Sequence, residues 1–227
     1  MAKGPVRERI LRAAVGLLAR GGREAVSTRA VSAAAGVQAP AIYRQSFGDM
    51  RGLLDAAARE VLAAYVRHKA KRSSSSHPLE DFRRGWDEHI AFGLANPDAY
   101  SILYSGADHS PAAREGLAML ESLLVRVAEA GQLRMHVSDA ARLVHAGGKG
   151  VVFSLIAAPD PRLAEAMREA LLTAITEAAP RPARTTKRVA PRAIALRAVL
   201  SEARRTISPG ERQLLGELLD RLAAAEE

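Results

Sequence analysis

The chain has 227 residues, 48% of them hydrophobic, only 4% aromatic and none cysteine, with a net charge of +8. That is enough apolar content for one large or two small domains with real cores. The lack of cysteine excludes disulfides and thiolate metal sites; the first residues lack a signal peptide's apolar run; and no stretch of about 18 apolar residues is present to span a bilayer, so a cytoplasmic protein is expected.

Abundant Ala and Leu, with few β-branched runs, predict an all-α fold. The charge is unevenly spread. Residues 1–72 carry 14 basic against 5 acidic side chains, residues 73–179 carry 9 against 14, and residues 180–227 carry 10 against 6. A cationic head on an acidic middle predicts that one part of the chain meets a polyanion. A merely solvated basic surface is the competing reading of the charge alone.

The first helix is expected over about Pro5–Arg20, where Ile10, Ala14, Leu17 and Leu18 share one face. Gly21-Gly22 ends it. Ser27 or Thr28 caps a short helix running to Ala35, and Gly36 supplies a sharp turn. A third short helix, about Gln38–Ser46, tolerates Pro40 because it lies in the first turn. Gly48-Asp49 caps a long helix that fades near Lys71-Arg72, and Ser73 to Pro78 form a loop.

The middle segment reads as helices punctuated by Asn96-Pro97, Gly106 to Pro111, Gly131 and Pro159. They cover about Leu79–Ala95, Asp98–Ser105, Ala112–Ala130, Ser138–Ala157 and Asp160–Ala178. A basic, proline-containing linker from Arg181 to Arg192 precedes a helical hairpin, about Ala193–Thr206 and Pro209–Ala225. Ser208-Pro209-Gly210-Glu211 has the pattern of a capping box. The hairpin's apolar stripe of Ile194, Val199, Leu200, Leu214, Leu215, Leu218, Leu219 and Leu222 suits it to cover another helical surface. The expected domains are therefore 1–48, 49–179 and 180–227.

A helix-turn-helix needs two short helices, a tight turn, and a second helix slim enough to enter a major groove about 12 Å wide. Residues 28–46 meet that demand. Val31, Ala35, Val37 and Ile42 supply the inner face, and the third helix offers Gln38, Ala39, Pro40, Ala41, Tyr43 and Arg44 outward. The resemblance becomes specific across residues 7–62: RERILRAAVGLLARGG, STRAVSAAAGV and APAIYRQSFGDMRGLLDAAAREVL. Within them stand Thr28-Arg29, Ala34-Ala35-Gly36-Val37, Ile42-Tyr43-Arg44, Phe47-Gly48-Asp49 and Leu53-Leu54 in order. This ordered set resembles the DNA-binding head of the TetR family of transcriptional regulators.

The resemblance implies an N-terminal three-helix head followed by a helical ligand-binding and dimerisation domain. It implies operator DNA, a homodimer and a small-molecule effector as partners, with no cofactor and no metal. Thr28 and Arg29 would meet phosphate or a base edge. Gln38, Ala39, Pro40 and Ala41 would face base edges, Gln38 suiting adenine and the alanines thymine methyls. Tyr43 would bond a phosphate, Arg44 a phosphate or guanine, and Lys3 and Arg7 would approach the backbone from the N-terminal arm. Two features depart from the family pattern. Tyr43 to Phe47 is one residue longer than usual, and Met50 stands where a phosphate-binding Lys is common, leaving Arg51 as substitute.

A ligand pocket needs apolar walls with a few aimed polar groups. Phe82, Trp86, Phe92, Tyr100, Tyr104 and Phe153 concentrate in the middle segment, where Trp86 and His89 share a helical face, as do Tyr100 and Tyr104. Trp86, His89, Tyr104, Met119, His145 and Phe153 are the expected ligand-binding set, with ordinary core packing as the competing reading. The resemblance also implies a four-helix dimer interface. The helices near 138–157 and 160–178 are its candidates, with Ala146, Gly147, Gly148 and Gly150 allowing close approach. Gly147-Gly148-Lys149-Gly150 lacks the spacing of a phosphate loop and follows no predicted strand. No nucleophile elbow or paired metal spacing appears, so an enzyme is not expected. Repression is the default function. The alternative is a helical ligand-binding protein whose degenerate head no longer recognises a specific operator.

Overall fold

The structure is a computed structural model that describes residues 5–45, 47–104, 111–176, 189–201 and 207–224. Lys3, the expected turn at 106–110 and most of the basic linker (181–188) lie outside the described residues. Within them every regular element is a helix, and the one β feature is an isolated bridge between Leu133 and Thr176. The fold is all-α, as the composition predicts.

Two compact units form. The first combines residues 1–72 with 91–116, and the second combines 73–90 with 117–227. The boundary falls inside two continuous helices, α5 (Pro78–Ala95) and α7 (Pro111–Glu129).

In the first unit, α1 (Val6–Ala25) buries Ile10, Ala14 and Leu18, one face at four-residue spacing. It breaks at Gly21 and Gly22 and continues for one further turn. Gly22 adopts φ 65° and ψ −165°, a conformation essentially restricted to glycine. A side chain there would also collide with the Asp98 carboxylate. Ser27 caps α2 (Thr28–Ala35) by accepting from the Ala30 amide at 3.2 Å. Gly36 closes α2 in the left-handed region, φ 62°.

The third helix, α3, is shorter than expected and covers Ala39–Tyr43. The chain must leave it early because Phe47 turns back into the core, where it is 9% exposed. Asp49 caps α4 (Met50–Ala70), accepting from the Gly52 amide at 2.8 Å. α1 packs on α2, α3, α4 and α6 (Pro97–Tyr104), and α4 also packs on α6. Val31, Ala35, Ile42, Leu53 and Ala57 complete the head's core.

In the second unit, α8 (Val137–Ala157) packs on α9 (Leu163–Ile175). Two of the expected close-approach glycines are taken up inside this unit. A Cβ on Gly147 would come within 2.9 Å of Leu171, and one on Gly148 within 3.1 Å of the His89 ring, whereas Gly150 meets nothing. α9 starts at Leu163, because Asp160-Pro161 form a turn in which the Asp160 carboxylate accepts from the Arg162 amide at 2.9 Å. The side chain of Arg168 joins Asp87 at 2.6 Å and Glu169 at 3.0 Å, tying α9 to α5.

The hairpin pairs α10 (Val189–Val199) with α11 (Pro209–Ala224). α10 starts four residues before the expected Ala193, at a position where Pro191 is still tolerated within the first turn. The capping box forms: the Ser208 amide donates to Glu211 at 2.8 Å, and the Glu211 amide to Ser208 Oγ at 3.3 Å. Ala193, Leu200 and Leu219 form the hairpin core, while Leu214, Leu218 and Leu222 stay exposed.

Asp81 is a buried charge that the periodicity does not announce. It accepts from Arg126 Nη1 at 2.8 Å and the Ser75 amide at 2.9 Å, and Arg84 also donates to it. Burial alone would raise its pKa, but the Arg126 and Ser75 bonds outweigh burial and hold it below the usual carboxylate value. Asp81→Asn is expected to cost about 3 kcal/mol in urea unfolding, because Arg126 then loses its buried partner. With the folded pKa depressed, the ion's contribution is present above the unfolded value near 4 and is lost as pH falls through the folded value. The wild-type and Asp81→Asn stabilities should therefore converge in acid.

Candidate nucleic-acid interface

The exposed side of α2 and α3 is built from side chains that packing does not need. Gln38, Pro40, Tyr43 and Arg44 are exposed, and Ala39 and Ala41 are half-buried, so α3 presents a slim edge outward. Ile42 alone anchors α3 inward, at 1% exposure. A five-residue helix has little stability of its own, so its position depends on its neighbours.

One neighbour contact is specific. Tyr43, at the end of α3, is 54% exposed, yet its phenol oxygen lies 2.9 Å from Thr28 Oγ1 at the start of α2. Sequence reasoning assigned these two residues separate roles; the structure brings them together. The pair has two O–H groups and uses one between the oxygens, so the other remains to donate outward. Arg29 and Arg44 are the next residues in sequence after Thr28 and Tyr43, and both are exposed. An outward neutral donor on helices that also carry exposed arginines suits a phosphate.

Arg51 is exposed in the first turn of α4, and Met50 beside it is half-buried. Arg7 is exposed and its guanidinium sits 4.8 Å from the centre of the Phe47 ring. That contact holds Arg7 against the segment joining α3 to α4. Arg9 was not anticipated. Its Nη1 donates to the Ala35 carbonyl at 3.3 Å, placing a cation on the last carbonyls of α2. Its sequence signal, an Arg one residue before the buried Ile10, is indistinguishable from a solvated charge.

The expected ligand-binding residues divide between the units. Trp86 is buried, and its indole Nε1 donates to the Ala164 carbonyl at 3.0 Å. His89 is half-buried, with its ring against Gly148. Met119 and Phe153 are half-buried, while His145 lies on an exposed position of α8. Partial desolvation and then the Lys149 ammonium lower the His145 pKa from its usual value. Tyr104 belongs to the first unit, with its ring centre 4.3 Å from that of Tyr100.

A short exposed helix, set by a tight turn against a capped partner and flanked by arginines, defines a helix-turn-helix DNA-binding domain. Residues 10–57 match the family model of bacterial regulatory proteins, tetR family. No curated protein matches the sequence. Among solved structures, a protein of unknown function from Rhodococcus sp. RHA1 is similar with a TM-score of 0.62 and 19% identity, covering 77% of this chain and 97% of its own. SmeT, the repressor of the Stenotrophomonas maltophilia multidrug efflux pump SmeDEF, is similar with a TM-score of 0.57 and 21% identity, covering 80% and 98%. NalD, the secondary repressor of the MexAB-OprM multidrug efflux pump in Pseudomonas aeruginosa, gives 0.52 and 21%, covering 77% and 98%. Residues 10–57 thus match the DNA-binding head of the TetR family, and the chain shares the all-helical fold of these solved structures. Among the described residues, no helix is long and apolar enough to cross a membrane.

Proposed function

We propose that the protein is a cytoplasmic, non-enzymatic repressor that binds operator DNA as a homodimer and is released by a small-molecule effector. The observation that carries this reading is the exposed Thr28–Tyr43 hydroxyl pair, each member followed in sequence by an exposed arginine. The pair's bond links α2 to α3 and still leaves one O–H to donate outward. Gln38, Ala39, Pro40 and Ala41 are the base-reading residues, and Lys3, Arg7, Thr28, Arg29, Tyr43, Arg44 and Arg51 the phosphate-contacting ones. A homodimer supplies two such heads for two half-sites about one helical turn apart. The stated role of SmeT and NalD as repressors supports repression over activation.

Effector control is proposed through α4 and α6, because both pack on α1 of the head. Trp86, His89, Met119, His145 and Phe153 of the second unit and Tyr104 of the first are the proposed ligand-facing residues.

The direct test is retention of the chain's own upstream DNA against a scrambled competitor, titrated with salt. A specific regulator favours its operator by about a thousandfold or more. If about six phosphates are neutralised per dimer, log affinity should fall against log salt with a slope near −5. Equal retention of both fragments, or a slope near zero, would rule out operator recognition by these arginines.

A further inference from the structure

Tyr65, on α4, has its phenol oxygen buried with no hydrogen-bond partner. Its ring stacks on Phe92, with centroids 4.4 Å apart and planes 21° from parallel. The aromatic run continues from Phe92 to Tyr100 at 6.3 Å and from Tyr100 to Tyr104 at 4.3 Å. Lys69, one turn further along α4, holds its ammonium 5.8 Å from the centre of the Tyr65 ring. All five residues lie in the first unit.

Two groups in this cluster lack what their chemistry demands. A buried hydroxyl without a partner is costly, and native proteins nearly always satisfy such groups. Burial, with the Tyr104 phenol second, pushes the Tyr65 pKa up to about 12, so the phenol keeps its proton and seeks an acceptor. Lys69 is half-buried, and burial followed by the Arg72 charge lowers its pKa. Among the described residues no carboxylate pairs with it. The missing partner is therefore an acceptor that is also an anion, beside a stack of aromatic faces.

We infer that this cluster is a binding site for a planar aromatic carboxylate. The ligand's ring extends the run formed by Tyr65, Phe92, Tyr100 and Tyr104, and its carboxylate accepts from Tyr65 and compensates Lys69. An ordered water would satisfy the phenol but leave Lys69 uncompensated. Tyr104 is the one member shared with the ligand-facing residues named above. The site's position gives it a route to the head: α4 and α6 carry it and both pack on α1. As an effector site it rests on the proposed effector control; as a binding site it stands by itself.

The test uses the full-length protein and naphthalene-2-carboxylate in isothermal titration calorimetry. Naphthalene-2-carboxamide is the uncharged control and decanoate the aliphatic one. Saturable binding of the naphthoate is expected, at least tenfold tighter than either control. Tyr65→Phe, which keeps the ring, and Lys69→Met should each weaken it about tenfold, with melting curves confirming that both variants fold. No saturable naphthoate binding up to millimolar concentration overturns the site. So does binding that neither substitution changes, or decanoate binding equally well. A fall in melting temperature for Tyr65→Phe without naphthoate binding assigns the phenol to a buried water and also overturns it. Operator retention with and without the naphthoate is read separately: binding without release keeps the site and removes its effector role, and release by other compounds alone keeps effector control but assigns it elsewhere.

Discussion

Tyr43→Phe combined with Arg44→Ala should abolish retention of the native promoter fragment while the protein still melts as a folded molecule. Each head then loses a phenol donor and a guanidinium, both of which face a phosphate in the proposed complex. Hydrogen bonds to charged groups contribute about 1.5–3 kcal/mol each. Two losses in each of two heads amount to roughly 6 kcal/mol or more, which is a fall in affinity of about ten-thousandfold. The cost to folding is much smaller. Tyr43 is 54% exposed and its bond to Thr28 is a surface bond between neutral groups, so about 1 kcal/mol or less is expected. Tyr43→Phe alone, which removes one such bond in each of two heads, should weaken binding by about a hundredfold or more, and it also frees the start of α2 from the end of α3. Gel shifts paired with circular-dichroism melts measure both quantities. Unaltered retention by a folded double variant would remove this face from the DNA complex.

The second large effect concerns stability. Gly52→Ala should destabilise the head by about 3 kcal/mol, although alanine ordinarily favours a helix. A Cβ at Gly52 would run into the backbone carbonyl of Phe47. That carbonyl cannot swing away cheaply. It accepts from the Asp49 amide at 3.1 Å, its own side chain is buried in the core, and the next residue, Gly48, holds φ 78°. Moving it would also displace the Asp49 cap on α4 and the support beneath Arg7. Chemical denaturation compares the variant with the wild type. Gly150→Ala serves as the control, because a Cβ there meets nothing within 4 Å and helix propensity should dominate. A neutral or stabilising Gly52→Ala would mean that the turn from α3 to α4 is looser than its hydrogen bonds indicate.

Local rules made much of the fold legible. The spacing of Ile10, Ala14 and Leu18 marks the buried face of α1, and Gly36 marks a left-handed turn. Asp49 and the Ser208–Glu211 box mark helix starts through bonds that span only three residues. The head was recognisable for the same reason: its order of small, apolar and turn residues is written contiguously, and the family match lies in that stretch.

The site was legible as a set of residues but not as an arrangement. Thr28 and Tyr43 are fifteen positions apart, and no periodicity says that their oxygens meet. Arg9 beneath the end of α2 and Asp81 held by Arg126 are likewise matters of distant partners. The glycines at 147 and 148 read as a smooth helix surface, and only the packed structure shows Leu171 and His89 filling the space.

Amino-acid order alone therefore determined the helices, their caps and turns, and the family character of the head, because those depend on interactions within a few residues. Three-dimensional packing alone decided which hydroxyls pair, which charges are buried, and that Tyr65 and Lys69 share an aromatic cluster without an acceptor. Those outcomes depend on which side chains exclude water from one another across the chain, and helical periodicity does not encode that.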